Sequence, residues 1–283
     1  MLSHGREPEK VGGVSAPQLV ISTSRLTRDP AVALHVVVLH DRSTRKGRIA
    51  SADVQLASEH GIDLSERLDR EDFTGATASI VEIDLEPRAI KSRLKALIVV
   101  GVGSGAPRDA RISASVLARK LNGLQPRSVF ISGLATVNDA TLRAWVEGLL
   151  IGGYRFTGYG HGAKRTAKTI VHIASERSRT QPLAQGLASG QAVCLGRDLA
   201  NTPSNVKSPQ WLVQQARAVA RKNNLLISVR NRAQLVREGF GGIVAVGQGS
   251  VHPPAMVELR YRPKRVSAKT RRIVLVGKGI TFD

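Results

Sequence analysis

The sequence is poor in cysteine, in aromatic residues and in long apolar runs. Cys194 is its single cysteine, which excludes an internal disulfide and fits the reducing cytoplasm. The longest apolar runs, such as 36–39 and 97–100, are far shorter than the roughly 20 residues that a membrane-spanning helix needs. The polar start, residues 1–10, is followed by no continuous apolar stretch, so no signal peptide is expected. These absences together predict a cytoplasmic protein.

Acidic residues are scarce in most of the chain. Residues 1–90 hold 11 Lys/Arg and 14 Asp/Glu, a net −3, whereas residues 91–283 hold 31 and 8, a net +23. A basic group without any acid lies within 260–272 and consists of Arg260, Arg262, Lys264, Arg265, Lys269, Arg271 and Arg272. Such a group either attracts nucleic acid or another polyanion, or forms a solvated loop. Only Tyr261 is interleaved for base stacking, and no nucleic-acid motif is visible.

A chain of 283 residues with 42% hydrophobic residues is long enough for about two domains, and we place the boundary at 176/177. In 1–176, short β-branched runs alternate with amphipathic stretches, which predicts an α/β domain. Strands are predicted over 19–22, 33–39, 78–84, 96–102, 128–132 and 169–173. One or two helices are expected within 51–72, and further helices over 110–121 and 138–153. Residues 1–17 are expected to be loosely held, and 158–168 to form a surface loop.

The second part, 177–283, continues the α/β pattern. It begins with a connecting helix over 178–199, which Pro203 ends. Ser208 and Pro209 then start a helix to residue 222 as N-cap and first helical residue. A short helix over 233–238 is closed by Gly239. Strands are predicted over 225–229, 242–246, 256–261 and 273–276.

Two local features of the first domain could bind a ligand but have simpler interpretations. His35 and His40 flank the second strand, and without a third ligand spaced nearby they are predicted to be a core and an edge histidine. The segment Gly101-Val-Gly-Ser-Gly105 follows a strand, yet its spacing is not that of a dinucleotide-binding loop. A plain turn from strand to helix is the better interpretation.

The stretch 273–283 carries the sharpest chemical signal. Ile273–Val276 is predicted to be a buried strand, and the turn Gly277-Lys278-Gly279 projects Lys278 from its carboxyl end, where α/β sheets bind ligands. Asp283 follows five residues later. Neutralising a lysine at pH 7 costs about 4 to 5 kcal/mol from its reference pKa, so an ion pair or a solvated lysine is the simplest interpretation of the residues alone. A metal site requires burial and a dication to offset that cost.

The string Val276-Gly-Lys-Gly-Ile-Thr-Phe-Asp283 resembles the signature of the leucyl (cytosol) aminopeptidase family. Further stretches are similar to that family: Arg197–Asn205, Gly239–Ser250, His252–Pro254, Leu259–Tyr261 and Trp145–Phe156. The resemblance extends from about residue 140 to 283.

The resemblance implies a macro-like N-terminal α/β domain followed by an α/β catalytic domain. It implies a cytoplasmic, hexameric metalloprotease that uses two divalent ions, Mn or Zn, to remove the first residue from peptides with a free amino terminus. Carried over to this chain, Lys278 binds one metal ion and Asp283 is shared by both. Arg197 and Asp198 are interpreted as a structural pair near the domain joint.

The family's pattern continues past this aspartate with Ser-Gly-Gly, a second lysine, further carboxylates and an arginine. The catalytic domain is therefore expected to be truncated here, and the 283-residue chain is expected not to hydrolyse peptides by itself. Two alternatives stay open: a basic nucleic-acid-binding or other non-catalytic remnant of an aminopeptidase, and a module that binds ADP-ribose through its macro-like first domain.

Overall fold

The structure, a computed structural model, divides the chain into two compact units. Unit 1 is Met1–Asp198 and unit 2 is Leu199–Asp283. The residues that the structure describes are 19–24, 32–43, 48–85, 94–156, 168–175, 179–263, 265, 267 and 271–281. The predicted loose segment 1–17 and most of the predicted loop 158–168 lie outside them. Across this described part, no helix combines the length and apolarity needed to cross a membrane.

Unit 1 is built on a six-stranded sheet. Its strands are β1 (Leu19–Ser24), β2 (Leu34–Leu39), β3 (Ile80–Asp84), β4 (Ala96–Gly101), β5 (Ser128–Ser132) and β6 (Thr169–Ala174). Their order across the sheet is β1-β6-β5-β2-β4-β3, and all neighbours run parallel except β3 and β4. The predicted α/β class is confirmed, and so are the six strands of this unit.

In the described ranges of the chain, five helices accompany the sheet. They are α1 (Ser51–Glu59), α2 (Leu64–Arg70), α3 (Pro107–Leu124), α4 (Asp139–Gly153) and α5 (Thr180–Asn201). Helix α4 begins as predicted, because the Asn138 side chain accepts a hydrogen bond from the Thr141 amide. Helices α1 and α2 lie within 51–72, where one or two short helices were predicted.

The central strands β2 and β4 are buried along their whole length. Their valine-rich sequences show little alternation between apolar and polar residues, as expected for parallel strands that are covered on both faces. Val36 and Ile98 point into a core that α3 and α4 share, whereas Val37 and Val99 point into a core shared with α1 and α2. Helices on both faces of the sheet therefore explain why these strands carry no polar face.

Glycines let the helices of unit 1 approach one another closely. A Cβ atom at Gly148 of α4 would lie 2.3 Å from the carbonyl oxygen of Arg111 in α3, and one at Gly186 of α5 would lie 2.7 Å from the carbonyl oxygen of Arg143 in α4. Leu183 of α5 also packs against the unit 1 core. The compact unit therefore extends past 176/177 and includes most of α5, while the boundary between the functional domains stays a prediction.

Unit 2 contains short elements and a small core. They are α6 (Pro209–Lys222), β7 (Leu226–Arg230), α7 (Arg232–Arg237), α8 (Gly241–Val246) and β8 (Met256–Arg260). Strands β7 and β8 pair antiparallel. Ser208 caps α6 as predicted by accepting a hydrogen bond from the Trp211 amide at 3.2 Å. Ala220 and Leu235 are the fully buried apolar side chains among the described residues of this unit.

Two strand predictions for unit 2 are wrong. Residues 242–246 form the helix α8 instead, in which the amides of Val244 and Gly247 bond back to carbonyl groups within and just before the helix. A short apolar run has no intrinsic preference between the two states, and a helix satisfies its own backbone groups where no strand lies beside it. Residues 273–276 form no strand and are 70–93% exposed. A buried strand requires pairing and cover, and the described part of unit 2 provides neither for this segment.

Candidate metal centre

Lys278 lies on an exposed segment of unit 2 that forms neither a helix nor a strand. The flanking Gly277 and Gly279 have open space where a Cβ atom would be, so nothing packs against the backbone at this turn. No carboxylate of the described residues forms a salt bridge with Lys278. Asp283 lies outside the described residues. The pairing of Lys278 with Asp283 therefore stays a prediction.

The residues present do not fit a metal ion by themselves. Within the ranges that the structure describes, no group of three or more His, Cys, Asp or Glu side chains lies close enough to hold one. An exposed ammonium is protonated and cannot donate an electron pair to a metal. One lysine and one carboxylate would also leave most positions around a divalent ion unfilled. We therefore derive no chemical step through a metal from this chain alone.

His35 is a buried structural histidine, as predicted. Its Nε2 atom lies 3.0 Å from Asp53 Oδ1 and 3.1 Å from Ser132 Oγ, and all three side chains are buried. A catalytic Ser-His-Asp arrangement needs the carboxylate and the hydroxyl on opposite ring nitrogens, whereas here both contact the same one. The cluster joins α1 to β2 and β5 instead.

His40 packs against the turn that follows β4. A Cβ atom at Gly105 would lie 2.1 Å from His40 Cε1, so the ring occupies the space beside this glycine. The histidine sits at the carboxyl end of β2, where it is partly exposed. The position of His40 confirms the prediction of an edge histidine. Among the described residues, neither His35 nor His40 belongs to a cluster that could bind a metal.

The glycine turn after β4 does not offer its amides to a phosphate. The Gly103 amide donates to the Gly75 carbonyl at 2.8 Å, and the Gly105 amide donates to the Val102 carbonyl at 2.9 Å. The Ser104 hydroxyl donates to Asp109 Oδ2, which places a carboxylate at the start of α3. A phosphate site needs free amides and no nearby carboxylate. The interpretation as a plain turn is confirmed, and the loop gives no support to a module that binds ADP-ribose.

Arg197 and Asp198 share a partner that the sequence did not indicate. The guanidinium group of Arg197 lies 5.4 Å from the centre of the Tyr154 ring, and it donates to the Ile151 carbonyl at the end of α4. The Tyr154 hydroxyl donates to Asp198 Oδ1 at 2.9 Å. Asp198 is buried. The pair therefore has the structural role predicted for it, and it fastens α5 to the last turn of α4.

Cys194, one turn before Asp198, is half-buried against the same end of α4. Its Sγ atom lies 3.6 Å from the Leu150 carbonyl, and burial raises the pKa of the thiol despite the opposing charge of Arg197. A raised pKa means less thiolate at a given pH. We expect iodoacetamide at pH 8 to alkylate Cys194 about tenfold more slowly than a free thiol, with the rate still rising above pH 9. Mass spectrometry of timed samples measures this, and an equal rate in the folded and urea-unfolded chain would contradict it.

Two models of one family match this chain. The N-terminal domain of the cytosol aminopeptidase family matches residues 36–161, and its catalytic domain matches residues 194–283. The chain therefore belongs to the cytosol aminopeptidase family, as the resemblance indicated. The family is one of aminopeptidases, which are peptide hydrolases.

Individual relatives agree with the family models. A probable cytosol aminopeptidase of Mycobacterium bovis (strain BCG / Pasteur 1173P2) is 31% identical over 290 residues, covering 96% of this chain and 54% of the relative. One from Mycobacterium ulcerans is 33% identical over 253 residues, covering 83% and 46%. This chain thus spans about half the length of the curated relatives that it matches.

Solved structures show the same fold. A mutant of tomato leucine aminopeptidase aligns with a TM-score of 0.69 at 17% identity, covering 93% of this chain and 54% of that one. The bottromycin maturation enzyme BotP in complex with Mn aligns with a TM-score of 0.62 at 24% identity, covering 83% and 46%. At these identities the likeness concerns the fold alone.

Proposed function

We propose that this chain provides the N-terminal domain and the first part of the catalytic domain of a metal-dependent leucyl aminopeptidase. The observation that carries the proposal is the catalytic-domain match, which runs over residues 194–283 and includes the Gly277-Lys278-Gly279 turn and Asp283. The substrate would be a peptide with a free amino terminus. We further propose the assignments that the resemblance implies, namely a cytoplasmic enzyme, a homo-hexamer and two divalent ions, Mn or Zn.

Lys278 and Asp283 are the residues that we propose as metal ligands. Lys278 can serve only as a neutral amine, which requires a nearby dication and removal from water. On its present exposed segment it has neither. We propose that additional strands and ligands of a complete catalytic domain bury 273–276 and bring Lys278 to the ions. The glycines beside Lys278 support this, because they leave the turn free to be covered.

The purified 283-residue chain is expected to be inactive by itself. Its described residues form no metal-binding cluster, and the segment that carries Lys278 is exposed. The assay is release of p-nitroaniline from leucine p-nitroanilide with added Mn²⁺ or Zn²⁺. Metal-dependent turnover by this chain would contradict the expectation.

The proposal itself is tested on the product of the complete reading frame, sequenced beyond codon 283 and expressed to its stop codon. We expect activity that a chelator abolishes and that Lys278→Met lowers at least about a hundredfold, because removing even an outer-shell partner of a metal ligand typically costs about 10- to 100-fold in metal affinity or activity. Lys222→Met, which removes another exposed lysine of unit 2, is the matched control and is expected to leave the activity within about twofold. A stop codon directly after Asp283, or an unchanged rate for Lys278→Met, would refute the proposal.

A further inference from the structure

Unit 2 carries a large excess of positive charge that its own carboxylates do not balance. Residues 199–283 contain 15 Lys/Arg and 3 Asp/Glu. Ten of the 15 are arginines. An excess of this size on so short a segment produces a strong positive potential, which draws polyanions from solution.

The two described carboxylates of unit 2 are already neutralised. Glu258 accepts hydrogen bonds from Arg260 at 2.6 and 3.3 Å, and its Oε2 atom lies 3.6 Å from Arg230 Nη1. The hydrogen bond from Arg260 holds the pKa of Glu258 below its ordinary value. Glu238 accepts from Arg230 Nε at 2.5 Å. These acids therefore neutralise Arg230 and Arg260, and no other described Lys or Arg of unit 2 forms a salt bridge with a described carboxylate.

Eight arginines of unit 2 are exposed and form no salt bridge with any described carboxylate; two of them lie on α7, and the other six lie on α6 or follow β8. We call these six the basic surface, and its members are Arg217, Arg221, Arg262, Arg265, Arg271 and Arg272. The first two lie one turn apart on α6, so their side chains project from the same face of a formed helix. The other four follow β8. Because α6 is already ordered, its arginines need less ordering on binding than arginines of an unstructured tail.

We propose that the basic surface binds the phosphate backbone of nucleic acid without sequence preference. The guanidinium group donates two parallel hydrogen bonds to one phosphate, which a lysine cannot do. The exposed face of α6 contains no exposed large apolar side chain, so Arg217 and Arg221 lie beside no group of that helix that would insert into a lipid layer. Backbone contacts carry affinity but no sequence information, so no preference for a base sequence is expected.

The test measures binding of the 283-residue chain to a short fluorescein-labelled duplex DNA by fluorescence anisotropy, over about 50 to 200 mM salt. We expect affinity to fall steeply with salt, because each phosphate contact releases counterions. A variant with Arg217→Gln, Arg221→Gln, Arg262→Gln and Arg265→Gln is expected to lower the slope of log K against log salt by about 3 to 4 in magnitude. At about 100 mM salt it is expected to bind at least about thirtyfold more weakly.

A matched variant removes the same charge from unit 1. It carries Arg108→Gln, Arg119→Gln, Arg127→Gln and Arg155→Gln, all at exposed positions. We expect this variant to weaken binding less than about threefold, because binding depends on where the arginines lie and not only on the net charge of the chain. Thermal unfolding of both variants checks that each is folded as the parent chain is.

Several outcomes would overturn the proposal. These are equal weakening by the two variants, binding that does not respond to salt, and binding of an acidic polyglutamate peptide as tight as that of the duplex. Tighter binding to phosphatidylserine vesicles than to the duplex would also overturn it, since the surface would then recognise an anionic membrane. The proposed aminopeptidase activity does not enter any of these measurements, so the two proposals fail or succeed separately.

Discussion

Replacing Gly148 by alanine is expected to destabilise unit 1 by about 2 to 3 kcal/mol. The added Cβ atom would lie 2.3 Å from the Arg111 carbonyl oxygen and 3.0 Å from Ala114 Cβ, both in α3. An overlap with helical backbone cannot be relieved by a rotamer change, so α3 and α4 must move apart and lose packing along their whole contact. Alanine gains about 1 kcal/mol over glycine in helix propensity, which offsets only part of the overlap.

Thermal or urea unfolding followed by circular dichroism measures this effect. For a unit of this size, the loss corresponds to a fall in Tm of about 5 to 10 °C. The matched control is Gly123→Ala in α3, where no atom lies within 4 Å of the added Cβ. That change is expected to be neutral or to stabilise by up to about 1 kcal/mol. If both substitutions stabilise the chain equally, the close approach of the two helices at Gly148 is wrong.

Most of unit 1 could be predicted from the sequence because its signals are local. Runs such as 34–39 and 96–101 are β-branched and short, and the helices carry caps such as Asn138 that mark their first residue. The order of the strands in the sheet was not predicted, since it depends on which runs pair over long distances. The packing of α5 on unit 1 also lies beyond local patterns, because it rests on glycines that face α4.

Unit 2 was predicted less well, and its two errors share a cause. An apolar run of four or five residues becomes a strand only when other strands pair with it, and 242–246 and 273–276 have no such partner among the described residues. One run forms the helix α8, and the other forms neither a helix nor a strand and is exposed. The helices with clear end signals, α6 with Ser208 and Pro209 at its start and α7 with Gly239 after its end, were predicted correctly.

The candidate site was also predicted only in part. The motif around Lys278 could be found from the sequence because it is a continuous string, but ligand geometry depends on residues far apart in the chain. The contact of Tyr154 with Arg197 and Asp198 spans more than 40 residues and has no local signal. Both stretches are similar to the family, but this similarity did not indicate that they touch.

Replacing Asp139 by alanine is expected to cost about 3 kcal/mol of unit 1 stability. Arg179 is 2% exposed, and it donates to Asp139 Oδ1 from Nε at 3.1 Å and from Nη2 at 2.7 Å. Its Nη1 atom lies 3.4 Å from the Leu134 carbonyl. The substitution leaves a buried guanidinium without its counter-charge. Because Asp139 itself is 62% exposed, water can enter in its place, which keeps the loss at the lower end of the range for broken buried pairs.

A double-mutant cycle separates the interaction free energy of Asp139 and Arg179 from the cost of leaving the buried guanidinium without a counter-charge. If the loss comes from the buried cation, the double variant Asp139→Ala, Arg179→Met should be more stable than Asp139→Ala alone, because an apolar side chain of similar length does not need a counter-charge. Asp139→Asn keeps an acceptor for the guanidinium but no charge, so an intermediate loss is expected. Urea unfolding of the parent chain, Asp139→Ala, Arg179→Met, the double variant and Asp139→Asn gives the five free energies that the comparison needs. A double variant that is less stable than Asp139→Ala would show that Arg179 contributes mainly through packing and its bond to Leu134, and the buried-charge explanation would then be wrong.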